Sequence, residues 1–152
     1  MSGSRTGGLK PHTMFVDSAG IAGPVVHRLR AMGYHNVEEV NYGAFAPHDK
    51  YLNMRAYLWG ECKDWLLQGG GIPNDPKLAF DLGAPGYAHD RSVRLVLEKK
   101  EDIKKRLKRS PDDGDALALT FARKLPVPRK KTPDRWTARM HEWAGEDAWM
   151  AR

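Results

Sequence analysis

Apolar residues fall in short groups of differing spacing along the chain, and each spacing predicts an element. Residues 13–17, TMFVD, are a compact apolar run closed by an acid, which is the signature of a short buried strand. A glycine turn follows, and Pro24 stands where proline favours the first turn of a helix. Val25, Val26 and Leu29 mark that helix over residues 24–32, Gly33 stops it, and Val37–Val40 reads as a second strand. Strand, helix and strand form a crossover unit, so the two strands should run parallel.

The longest helical pattern covers residues 51–67. Tyr51, Leu58 and Trp65, and beside them Leu52, Trp59 and Leu66, recur at seven-residue spacing until Gly69, Gly70 and Gly71 end the run. Such a stripe packs into a core. Asp75 and Pro76 open a brief helix reaching Leu82, and residues 93–97 alternate weakly enough to pair with Tyr87–His89 as a hairpin. Residues 99–109, KKEDIKKRLKR, make a charged helix in which Glu101 faces Lys105 and Asp102 faces Arg106 one turn on. A further helix begins with Ser110 as its cap, Pro111 in its first position, and Asp112 and Asp113 at the positive end of its dipole. Residues 126–133 form a linker rich in proline and lysine, after which Trp136, Met140 and Trp143 line one side of a last helix. That apolar side either docks on its own domain or fills a groove on a partner.

Composition narrows the class. The 152 residues are 41% hydrophobic and 29% charged, enough for one soluble core. No apolar stretch approaches the roughly 20 residues of a membrane helix, and the first residues lack the apolar segment of a signal peptide, so a cytoplasmic location without membrane contact is expected. Cys62 is the only cysteine, which excludes an internal disulfide and any zinc site built on paired cysteines. A metal, if bound, must be held by carboxylates.

The net charge of +6 is uneven: residues 99–109 carry 7 basic and 2 acidic side chains, while residues 110–122 carry 3 acids and no base. Cations beside a reserved set of carboxylates suit a site that handles a polyanion, although the same segment is also a good solvated surface helix. Asp115 stands out among the acids, because it shares a helical face with Asp112 and abuts the apolar run from Ala116 to Ala122. An acid at the rim of a packed face calls for a compensating cation. Mg²⁺ or Mn²⁺ fits, taking carboxylate oxygens together with water and phosphate. Asp17, at the carboxyl end of a parallel strand where α/β ligands gather, completes a candidate set of Asp17, Asp112 and Asp115. Ordinary capping and surface acids are the competing reading. A phosphate loop has little support, since Gly20 and Gly23 do not complete GxGxxG and no GxxxxGK[ST] occurs.

Three segments in order, FVDSAGIAGPVVHRLRAMGY, YLNMRAYLWGECKDWLLQGG and LEKKEDIKKRLKRSPDDGDALALTFA, resemble the C-terminal nuclease domain of bacteriophage large terminase subunits. The resemblance covers about residues 13–123. It implies an α/β, RNase H-like (RuvC-type) nuclease fold with a short parallel strand pair, flanking helices, a small hairpin and a C-terminal helix. The implied domain spans residues 13–125, between a terminal segment 1–12 and the linker and helix at 126–133 and 134–152. It further implies metal-dependent cleavage of double-stranded DNA during genome packaging in the bacterial host, with Asp17, Asp112 and Asp115 holding two divalent metals. Lys99, Lys100, Lys104, Lys105, Arg106, Lys108 and Arg109 would hold the DNA backbone without reading sequence, and other terminase subunits or the portal protein become candidate partners. The family carries another essential acid on an earlier strand. The 12 residues before the matching region contain no Asp or Glu, so the resemblance implies a partial fold. The strand bearing Asp17 would then present an open edge, and cleavage would be impaired. The alternative is a non-catalytic DNA-binding or packaging-partner protein.

Overall fold

The computed structural model describes residues 11–18 and 22–125. Strand β1 (Met14–Asp17), helix α1 (Ala22–Ala31) and strand β2 (Val37–Val40) form the expected crossover. The strands pair in parallel with Met14 opposite Val37 and Asp17 opposite Val40. Gly33, at φ +92°, lets the chain turn out of α1. Val26 of α1 and Val37 of β2 are buried against each other's layer, and Arg30 reaches across to the Val37 carbonyl at 3.0 Å.

Helix α2 (Met54–Leu67) starts three residues later than its apolar stripe predicts. The side chain of Asn53 caps it, accepting from the Ala56 amide at 3.0 Å, and the residues before it pair elsewhere. Leu52 donates to the Leu95 carbonyl at 3.0 Å and Leu95 to that of Lys50 at 2.7 Å. The backbone around Tyr51 is therefore committed to the hairpin rather than the helix. Leu58 and Trp59 of the stripe are buried, and Val40, Tyr42 and Ala118 complete the core, with Phe15, Leu82, Leu97 and Phe121 packed around it.

Helix α3 (Pro76–Gly83) is capped by Asp75, whose carboxylate accepts from the Lys77 amide at 2.8 Å. Strands β3 (Tyr87–His89) and β4 (Leu95–Leu97) form the expected antiparallel hairpin. Helix α4 (Lys100–Leu107) buries Ile103 and leaves Glu101, Asp102, Lys104, Lys105 and Arg106 exposed; it ends at Lys108, which takes φ +58°.

Helix α5 (Asp112–Leu119) corrects the expected cap. Pro111, not Ser110, occupies the cap position, and it makes no side-chain bond there. The end is capped from across the fold: fully buried Asp81 of α3 accepts the Asp113 amide at 3.2 Å, satisfying a donor that the helix itself cannot. Gly114 permits the contact, because a Cβ there would lie 3.2 Å from the Asp81 carbonyl and 2.9 Å from the Trp59 ring. A turn of 3-10 helix, Thr120–Ala122, follows. The linker and C-terminal helix expected at 126–133 and 134–152 lie outside the described residues, as does most of segment 1–12.

Candidate metal and nucleic-acid site

Asp17 is the last residue of β1, and Asp115 lies one turn into α5. Tyr42, just beyond β2, ties α5 to the end of that strand, since its buried hydroxyl donates to the Asp115 carbonyl at 2.6 Å. Burial pushes this phenol far above its ordinary 10.0, and the negative charges of Asp115 and Asp17 push it further, so it remains a donor.

Asp115 is 4% exposed. A carboxylate so buried must have its charge matched and its lone pairs used. Its Oδ1 accepts the indole N–H of Trp59 at 2.9 Å and the Nε–H of Arg55 at 3.2 Å. Arg55, itself buried, is held by a second bond from Nη1 to the Glu98 carbonyl at 2.8 Å. On the other side, the Lys100 ammonium stands 3.1 Å from Asp115 Oδ2 and 4.0 Å from Asp17 Oδ2. It also lies 5.4 Å from the centre of the Tyr42 ring, a favourable place for a cation. A single ammonium thus faces both acids.

That contact is ionic without hydrogen-bond alignment: Asp115 Oδ2 and Arg55 Nη2 are both buried and lack a hydrogen-bond partner. A buried carboxylate oxygen without a hydrogen bond, with a second carboxylate across one ammonium, is a donor set that fits a hard cation. Such ions take one or two carboxylates and complete their shell with water and phosphate. Asp17 and Asp115 are therefore the residues that could hold such an ion. Asp112, the first residue of α5, is exposed. Among the described residues no group of three His, Cys, Asp or Glu is placed to hold a metal. Two of the three expected acids are thus brought to one ammonium, and Asp112 stays on the surface one turn away.

The basic residues separate into two groups. Lys100, Arg106 and Arg109 are engaged within the chain. Arg106 corrects the expected pairing with Asp102: it binds Glu98 at 2.6 Å and the Ala84 carbonyl at 2.8 Å, because the hairpin carries Glu98 alongside α4. This bond holds the Glu98 carboxyl below its ordinary range. Asp102 instead meets Lys105 at 3.4 Å. Arg109 pairs with buried Asp81 and lies 4.9 Å over the Phe80 ring. Lys99, Lys104, Lys105 and Lys108 are exposed, and the Lys105–Asp102 contact is a surface pair of the kind worth about 0–1 kcal/mol.

Three residues of this network, Tyr42, Arg55 and Asp81, are not marked by spacing, and a fourth, Trp59, is marked only as part of the apolar stripe of α2. Trp59 reads as core, which it also is. Arg55 left a signal: a cation three, four and seven residues before buried Leu58, Trp59 and Cys62 sits on the apolar face of α2, where it needs an acid to meet.

The sequence matches no protein-family model and no curated protein sequence. Solved structures do share the fold. The nuclease domain of the large terminase subunit gp2 of bacterial virus Sf6 is 18% identical, with a TM-score of 0.61 over 76% of this chain and 66% of that one. A lysine-to-alanine mutant of that domain, with manganese and β-thujaplicinol, is 16% identical with a TM-score of 0.59 over the same shares. A calcium-containing mutant form is 18% identical with a TM-score of 0.58. The chain thus has the RNase H-like fold of terminase nuclease domains and spans 66% of the length of these counterparts.

Proposed function

We propose that the chain is a large-terminase-like nuclease module that cuts double-stranded DNA with the help of a divalent metal during viral genome packaging. The observation that carries this reading is the meeting of Asp17 and Asp115 on either side of Lys100, with Asp115 Oδ2 buried and not hydrogen-bonded. Asp17 and Asp115 would hold Mg²⁺ or Mn²⁺. A cation bound there lowers the pKa of its water and neutralises phosphate charge. The chain's own residues do the rest. Arg55 and Trp59 hold Asp115, Tyr42 fixes the height of α5 against β2, and Lys100, 38% exposed, supplies a charge that moves to make room or to meet phosphate. The exposed Lys99, Lys104, Lys105 and Lys108 are assigned to the DNA backbone, while Arg106 and Arg109 brace α4 against the hairpin and α3. The role of Asp112, a second metal, contacts with other terminase subunits or the portal protein, and action in the cytoplasm of a bacterial host belong to the same proposal.

Supercoiled plasmid incubated with the protein and Mn²⁺ should be nicked, with no nicking in EDTA and none by Asp115→Asn. Metal-independent nicking, or unchanged nicking by that variant, overturns the proposal. A second reading, DNA binding without cleavage, rests on the four exposed lysines. It predicts salt-dependent plasmid retention without nicking under any divalent metal.

A further inference from the structure

Every hydrogen bond to the Asp115 carboxylate falls on one oxygen. Trp59 Nε1 and Arg55 Nε both donate to Oδ1, at 2.9 and 3.2 Å, while Oδ2 receives none. An aspartate is free to rotate about χ2 and exchange its oxygens unless something distinguishes them, and here two donors on rigid α2 do so. The guanidinium is anchored in turn, by Nη1 on the Glu98 carbonyl at 2.8 Å, and the indole belongs to the buried core with Tyr42, Leu58 and Ala118. Arg55 also carries a hazard. Guanidinium and carboxylate normally pair through two parallel bonds, and Arg55 Nη2 is buried and unbonded. If Asp115 turned, that nitrogen would take Oδ2 and close the site. The Trp59 bond opposes this turn, since it holds Oδ1 from a direction that the guanidinium does not supply.

We infer that Trp59 is a positioning residue for metal binding: its indole N–H keeps Asp115 Oδ2 turned away from Arg55 and presented towards Asp17. The inference rests on the metal reading of this site and deepens it. The conservative variant Trp59→Phe keeps an aromatic ring in the core and deletes the donor.

The test is Mn²⁺ binding to the full chain without DNA, read from the electron paramagnetic resonance of the free ion. Asp115→Asn should abolish binding, and Trp59→Phe should raise the Kd roughly 10-fold, the usual effect of removing a group that orients a ligand. If Asp115→Asn binds Mn²⁺ like wild type, the metal reading fails and this inference with it. If Asp115→Asn loses binding while folded Trp59→Phe keeps the wild-type Kd, the positioning role alone is wrong. Should Trp59→Phe not fold, Mg²⁺ titration of wild type decides by NMR. A Trp59 indole N–H resonance that stays downfield and protected from exchange at saturation supports the role, and loss of that bond on Mg²⁺ binding overturns it.

Discussion

Adding one methyl group at Gly114 tests the packing that supports the site. On propensity alone, Gly114→Ala should stabilise α5 by about 0.5–1 kcal/mol. Its Cβ, however, would lie 2.9 Å from Trp59 Cη2 and 3.2 Å from the carbonyl carbon and oxygen of Asp81. The Asp81 contact is backbone and yields only if α3 shifts, which lengthens its 3.2 Å bond to the Asp113 amide. The Trp59 ring yields only by tilting the indole that donates to Asp115. Overpacking of this kind costs about 1–3 kcal/mol, which exceeds the propensity gain. A net loss of about 1–2 kcal/mol should lower Tm by about 2–8 °C in a domain of this size. Gly83→Ala is the control, because nothing lies within 4 Å of its Cβ, and its Tm should be unchanged or slightly higher. Thermal unfolding followed by circular dichroism reads both. A Gly114→Ala protein that melts at or above wild type would refute the close-packing argument.

Other expectations concern charge. Arg109→Met leaves the Asp81 carboxylate buried without its cation and should cost about 3–5 kcal/mol in urea unfolding, whereas adding Asp81→Asn to that variant should recover most of the loss; simple additivity would count against the pair. Glu98 should titrate below the ordinary 4.5 in a carboxyl NMR experiment, and Arg106→Gln should return it towards that value. Because its folded pKa is depressed, the contribution of this pair is complete above pH 4.5 and fades as pH falls through the lowered value; a Glu98 titration that Arg106→Gln leaves in place would contradict the assignment. Changing Lys99, Lys104 and Lys108 to Gln should flatten the salt dependence of DNA binding by about 2–3 units of slope, and an unchanged slope would remove the lysines from the interface.

What could be read in the sequence follows the range of the forces involved. The β1–α1–β2 unit, the hairpin and the Asp75 cap depend on neighbours a few residues apart, and their spacing shows it. Asp115 was legible because an acid entering an apolar run is locally costly, and Asp17 because it ends a strand. The partners of Asp115 were not, since Arg55 and Trp59 meet it across 60 and 56 residues. The cap of α5 failed for the same reason. Ser110 is the best local candidate, but Asp81, brought in by the packing of α3, takes the amide instead. Arg106 likewise prefers Glu98 on the hairpin to Asp102 on its own helix, a choice that helical spacing does not encode.

The bond from Tyr42 meets residue 115 at its main-chain oxygen, an atom that every amino acid possesses. Whatever side chain evolution places there, the rivet between strand end and helix survives. Replacing Asp115 by asparagine, which still offers an oxygen to Arg55 and Trp59, therefore leaves this joint in place, so a lineage built on the scaffold could surrender the charge and keep the hinge between β2 and α5.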